Sequence, residues 1–164
     1  MKHFINWKKG ILSSSYRLFS GEEFIGELTN HSFKQNAVGV IKNKKYVFIT
    51  KGLFKQETRI MDEDSNKVLG KITYNSMMSK ADIEFSDRLV SWKYDNGWHS
   101  RWSLYDDRGT LMKFAGGSSK GRIEFENEDL LLILTGLYVT NYYQQAMIAI
   151  LVAVFIPIWL TLFT

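Results

Sequence analysis

Between Phe4 and Phe125 short apolar and polar positions alternate over stretches of five to eight residues, punctuated by clusters of Asp, Asn, Ser, Gly and Lys. That period of two predicts β-strands joined by turns. From Leu130 the alternation stops, and the last 35 residues, 130–164, carry no charged side chain.

The alternating part repeats with a period of about 43 residues, the kind of internal repeat that decides an architecture. Units begin at Tyr16-Arg17-Leu18-Phe19, Thr58-Arg59-Ile60-Met61 and Trp102-Ser103-Leu104-Tyr105, each followed by a polar turn. Second strands are expected at 25–29, 68–73 and 111–115, and third strands at 37–41, 81–85 and 121–125. Gly26-Glu27-Leu28-Thr29-Asn30-His31-Ser32 aligns with Gly70-Lys71-Ile72-Thr73-Tyr74-Asn75-Ser76, while the third unit uses Gly116-Gly117-Ser118-Ser119 as its connection. Tight turns follow at Asn43-Lys44, Ser86-Asp87 and Glu126-Asn127, and fourth strands at 46–50 and 89–94. With a strand near Phe4 to Lys8 the total is twelve. A closed barrel leaves no exposed edges, and twelve strands make one too wide for its own side chains to fill.

The third unit lacks a fourth strand. It reads Asn127-Glu128-Asp129-Leu130-Leu131-Leu132-Ile133-Leu134 instead, with Asn127 a suitable N-cap and two acids suited to a helix N-terminus. Apolar residues on every side predict a surrounded helix. The expected architecture is therefore mainly β: an antiparallel barrel over residues 1–143, closed around a central hydrophobic helix at about 129–143. A second hydrophobic helix, 146–164, follows after Gln144 and Gln145. At about 1.5 Å per residue it measures roughly 28 Å, close to a hydrocarbon core of about 30 Å. Tyr142, Tyr143 and Trp159 suit interfacial positions, and Pro157 is tolerable in a membrane helix. A barrel some 20–25 Å tall sheathes one apolar piece, not both. The alternatives for 146–164 are a self-association helix or the barrel plug itself.

Charge and composition sharpen the picture. The net charge of +4 conceals +7 over residues 1–56 and −3 over 57–129. A basic half beside an apolar tail suits anionic headgroups, each basic residue contributing about 1 kcal/mol there; a solvated barrel rim is the plain alternative. There is no cysteine, so disulfides and thiolate metal sites are excluded. Residues 1–15 contain no apolar run of signal-peptide length, and the barrel is expected on the cytoplasmic side, or in a soluble cytoplasmic form.

No catalytic constellation emerges. His3, His31 and His99 lack metal-ligand spacing. Asp62, Asp64 and Asn66 imitate half a calcium loop, but Lys67 and Thr73 stand where glycine and glutamate are required. Gly116 to Gly121 has the length of a phosphate loop without its Lys and Ser/Thr; Gly117, Lys120 and Arg122 form a weak anion-binding candidate. Trp92, Tyr94, Trp98 and Trp102, around Asp95-Asn96-Gly97, are read as core packing rather than a nucleic-acid stacking platform. The lipid-contact candidates are Lys42, Lys44 and Lys45 at a hairpin tip, with Lys51 and Lys55 beyond it.

Repeated units with Asp/Gly turns, ending in the acidic-capped run Glu128 to Leu134, resemble the tubby C-terminal superfamily. That group includes the plant LURP-one-related proteins and the phospholipid scramblases, and the resemblance covers roughly residues 4–143. It implies a twelve-stranded barrel around a hydrophobic helix and an association with membrane lipid. This chain departs from scramblases in having no cysteine cluster and only one proline, Pro157. The resulting expectation is a non-enzymatic, membrane-associated module recognising anionic lipid headgroups, without cofactor or nucleic acid and with an unidentified protein partner. The alternatives are an assembly protein forming homo-oligomers through its C-terminal helix, or a scramblase-like activity.

Overall fold

In a computed structural model of the 164-residue chain, the described residues are 1–10, 13, 15–31 and 36–163. Ser32 of the repeat match and the terminal Thr164 lie outside them. Twelve strands form: β1 (His3–Lys9), β2 (Ser15–Ser20), β3 (Glu23–His31), β4 (Asn36–Ile41), β5 (Lys44–Lys51) and β6 (Glu57–Asp62). They continue as β7 (Lys67–Tyr74), β8 (Lys80–Phe85), β9 (Leu89–Tyr94), β10 (Arg101–Asp106), β11 (Gly109–Gly116) and β12 (Lys120–Phe125). Each pairs antiparallel with its sequence neighbours, and β1 pairs with β12 to close the barrel.

The repeat is visible in the backbone. Bulges interrupt β2–β3 at Leu18/Phe19, β6–β7 at Ile60/Met61 and β10–β11 at Leu104/Tyr105. The turns that follow hold positive φ at Gly21 (61°), Asn66 (54°) and Gly109 (134°), residue types that tolerate that region. A bulge adds twist and curvature to its strand, so its threefold recurrence helps the sheet to close. The tight turn between β4 and β5, Lys42-Asn43 rather than Asn43-Lys44, has positive φ at both residues (47° and 66°), the twist that a two-residue hairpin requires.

One helix follows, α1 (Leu130–Phe163), of 34 residues. Asp129, not Asn127, is its N-cap: the Asp129 carboxylate accepts the Leu132 amide at 3.1 Å. Glu128 and Asp129 therefore precede the first turn instead of occupying it. The chain also passes through Gln144 and Gln145 without a break, so the two expected helices are one. Gln is a good helix former and neither Gly nor Pro stands at that point.

The first part of α1 runs inside the barrel. Its residues 132–141 and Tyr143 are buried among inward side chains such as Leu18, Phe48, Ile72 and Trp102. Two glycines set the depth of packing. A Cβ on Gly136 would lie 2.3 Å from the Phe114 ring, and one on Gly39 would lie 2.7 Å from Leu134. Beyond Tyr143 burial ends abruptly, and the apolar side chains from Ile148 to Phe163 are 49–73% exposed. At about 1.5 Å per residue α1 is roughly 51 Å long, against roughly 20–30 Å for strands of six to nine residues. Length alone forces the second half out.

Candidate functional site

α1 starts at one end of the barrel, the floor, and leaves through the other, the mouth. At the mouth, three successive helix residues, Asn141, Tyr142 and Tyr143, are tied to the barrel. Tyr142 Oη donates to Gln56 Oε1, and its ring stacks on Tyr74 at 3.9 Å. Tyr143 Oη donates to the Lys80 carbonyl and accepts the Asn75 amide at 3.2 Å. Lys9 Nζ donates to Asn141 Oδ1 at 3.3 Å and lies over the Tyr16 ring; half-burial lowers its pKa. Deeper in, Thr50, Thr58, Tyr74 and Tyr138 share hydroxyl hydrogen bonds of 2.5–2.6 Å, and burial holds the Tyr74 phenol well above its ordinary pKa.

Two mouth loops are built alike. In residues 75–79, Asn75 Oδ1 accepts the amides of Ser79 and Lys80 at 3.0 and 3.2 Å, and its Nδ2 donates to Ser79 Oγ. In residues 95–100, Asn96 Oδ1 accepts the amides of Ser100 and Arg101, each at 3.1 Å, and its Nδ2 donates to Ser100 Oγ. Both place positive φ three residues after the Asn, at Met78 (52°) and His99 (55°). Both present an apolar tip two residues after it: Met77, 79% exposed, and Trp98, 92% exposed. The connection around Asn96-Gly97 is thus a six-residue loop, 95–100. Trp92 and Trp102 do pack in the core, but Trp98 stands in solvent. A third loop, 52–56, turns at Gly52 (φ 111°) and carries Leu53 and Phe54, which are fully exposed.

Charge divides the same way. Among the described residues of the mouth connections and their flanking strand ends, six are basic (Lys9, Lys51, Lys55, Lys80, Arg101, Lys120) and two acidic (Glu57, Asp95). The corresponding floor positions hold six basic and eleven acidic residues. Among the described residues the polarity thus also runs from end to end of the barrel.

This separates the predicted lysines. Lys42 and Lys44 lie at the floor; Lys42 pairs with Glu128 at 2.7 Å and Lys45, just inside β5, with Glu63 at 2.5 Å. Lys51 and Lys55 lie at the mouth, a strand length away.

Comparison with family models, curated proteins and solved structures gives no match to this chain.

The weak anion-binding candidates divide as well. The Gly117 amide donates to the Lys120 carbonyl at 3.0 Å and closes its hairpin turn. Lys120 and Arg122 line a hollow of about 730 Å³ on the outer wall, with Lys8, Phe19 and Gly121. Arg122 stacks over Phe4 at 4.8 Å. A smaller hollow of about 270 Å³ lies at the mouth, where His31, Asn36 and Gln56 face Gln145, Ala146 and Ala149. Among the described residues no group of three or more His, Asp or Glu side chains is arranged to hold a metal ion.

Sequence reasoning passed over Leu53, Phe54 and Met77 and misassigned Trp98. The signal was present: apolar residues in connections at one end only, where the other end's turns are all polar.

Proposed function

We propose that the chain is a non-catalytic binding module anchored in a membrane by residues 146–163, its barrel on the cytoplasmic side and its mouth toward the bilayer. One observation carries this reading: burial ends at Tyr143 inside an unbroken, uncharged helix. The remaining 18 residues span roughly 27 Å, close to a hydrocarbon core of about 30 Å, and the 34-residue helix meets the length and hydropathy of a membrane span, with a mean hydropathy of 2.6 in its most apolar window. Water would otherwise wet a contiguous apolar surface of a size that soluble monomers rarely expose.

Charge supports the orientation, because basic residues gather beside spans on the cytoplasmic side. Anionic headgroups are the ligands that a basic mouth favours, with Lys51 and Lys55 joining Lys9, Lys80, Arg101 and Lys120. A relationship to the tubby C-terminal superfamily is part of the proposal. The closed twelve-stranded barrel and the apolar helix inside it support that relationship. Carbonate extraction of membranes from cells expressing the full chain tests the anchor. Retention in the membrane pellet is expected; release into the soluble fraction overturns it.

A further inference from the structure

We infer that the mouth loops themselves are seated in the headgroup–acyl boundary of the bilayer, with Leu53, Phe54, Met77 and Trp98 as the inserting side chains. This rests on reading residues 146–163 as a membrane span, but it adds a second, separate contact made by the barrel.

The first argument is exposure. Leu53, Phe54, Met77 and Trp98 are 93, 103, 79 and 92% exposed, while the other large apolar side chains exposed on the barrel strands range from 38 to 55%. Folding alone gives no reason to place such residues at loop tips, where polar residues meet turn geometry equally well. The second is asymmetry. The floor turns read Gly21-Glu22, Lys42-Asn43, Glu63-Asp64-Ser65-Asn66, Ser86-Asp87-Arg88 and Asp107-Arg108. Among the described residues, every apolar loop tip lies at the end from which α1 departs.

The third is pre-organisation. Met77 and Trp98 are displayed by the same asparagine-bridged loop, built twice. Tyr143 fastens the Asn75 loop to α1, and Tyr142 fastens residue Gln56 of the Leu53-Phe54 loop. The loops of Met77 and of Leu53-Phe54 are therefore held by the helix that defines the anchor. The fourth is level. The mouth hollow brings His31, Asn36 and Gln56 alongside Ala146 and Ala149, so the rim stands beside the first exposed turn of α1. A span beginning there places the rim in the headgroup layer. Trp and other amphipathic or apolar side chains beside lysines match that layer's chemistry.

The chain contains no cysteine, so single-cysteine variants can be spin-labelled without altering the background. Full-length Phe54→Cys, Met77→Cys and Trp98→Cys proteins are reconstituted in phosphatidylcholine–phosphatidylserine vesicles. Ile150→Cys serves as the tail reference and Asp107→Cys as the floor reference. Electron paramagnetic resonance power saturation then reads accessibility to oxygen and to a water-soluble nickel chelate. The expected result is an oxygen-to-nickel ratio at 54, 77 and 98 shifted toward that of the Ile150 label and away from that of Asp107. Water-like ratios at all three with a lipid-like Ile150 label overturn rim insertion and leave the anchor standing. A water-like Ile150 label overturns the anchor as well. Labels shielded from both reagents mean that protein covers the rim, which also overturns the inference.

Discussion

Arg88, in the turn between β8 and β9, reaches Asp129 Oδ2 at 2.5 Å, while Oδ1 of the same carboxylate caps α1 through the Leu132 amide. The floor of the barrel and the start of its central helix thus share one acid. The two halves of that arrangement differ in weight. A half-exposed ion pair contributes about 0–1 kcal/mol, whereas loss of an N-cap costs about 1 kcal/mol and up to about 2. Asp129→Ala is expected to destabilise the fold clearly more than Arg88→Ala in denaturant titrations followed by tryptophan fluorescence. Equal effects would show that the cap contributes nothing.

Gly136 lets the tip of the Phe114 ring come up against the helix backbone. Alanine there gains about 1 kcal/mol in helix propensity but meets the Phe114 ring at 2.3 Å, and that ring is stacked on Trp102. Overpacking of this kind costs about 1–3 kcal/mol. Gly136→Ala should therefore lower the melting temperature, and adding Phe114→Leu should recover part of the loss. A single variant as stable as wild type would mean that the ring moves freely.

Tyr94 buries a hydroxyl without a hydrogen-bond partner among the described residues. Removing an orphaned polar group is close to neutral or stabilising, so Tyr94→Phe should hold or raise stability at pH 7. Burial pushes the Tyr94 pKa up to about 12. A phenol raised in the folded state contributes its full stability below its unfolded pKa, about 10, and loses it as pH rises toward 12. Wild type should weaken above pH 10, and Tyr94→Phe should weaken less steeply, since Tyr16 and Tyr74 remain. Identical alkaline profiles would refute the assignment.

Rim seating should respond to lipid charge through the mouth lysines alone. Adding phosphatidylserine to neutral vesicles is expected to raise the oxygen accessibility of a label at residue 54. Lys51→Glu with Lys55→Glu should suppress that response, at about 1 kcal/mol per basic residue removed. Lys42→Glu, Lys44→Glu and Lys45→Glu together should leave it intact. The opposite pattern would return the lipid contact to the floor.

The strands were legible because alternation and turn chemistry are local, and every strand from β1 to β12 was anticipated within a few residues. The helix was legible because its apolar residues ignore any strand period. Its cap was not, since Asn127 and Asp129 both suit the role and only the barrel's closure places Arg88 beside the latter. The joint expected at Gln144-Gln145 came from polarity, which reports solvent and not backbone geometry. The candidate site suffered most. Lys45 and Lys51 are six positions apart in sequence, yet they approach opposite ends of the barrel because β5 crosses it between them. Trp98 looked like core because it lies between Trp92 and Trp102, both of which are.

The helix has no joint where it leaves the barrel, and two tyrosines pin it there. Barrel and tail therefore turn as one mechanical body, like a nut seized on its bolt. A tilt imposed on α1 where it leaves the barrel becomes a tilt of the barrel. Any neighbour that fixes the tail's rotation also decides which way the wall hollow beside Lys8 and Arg122 points.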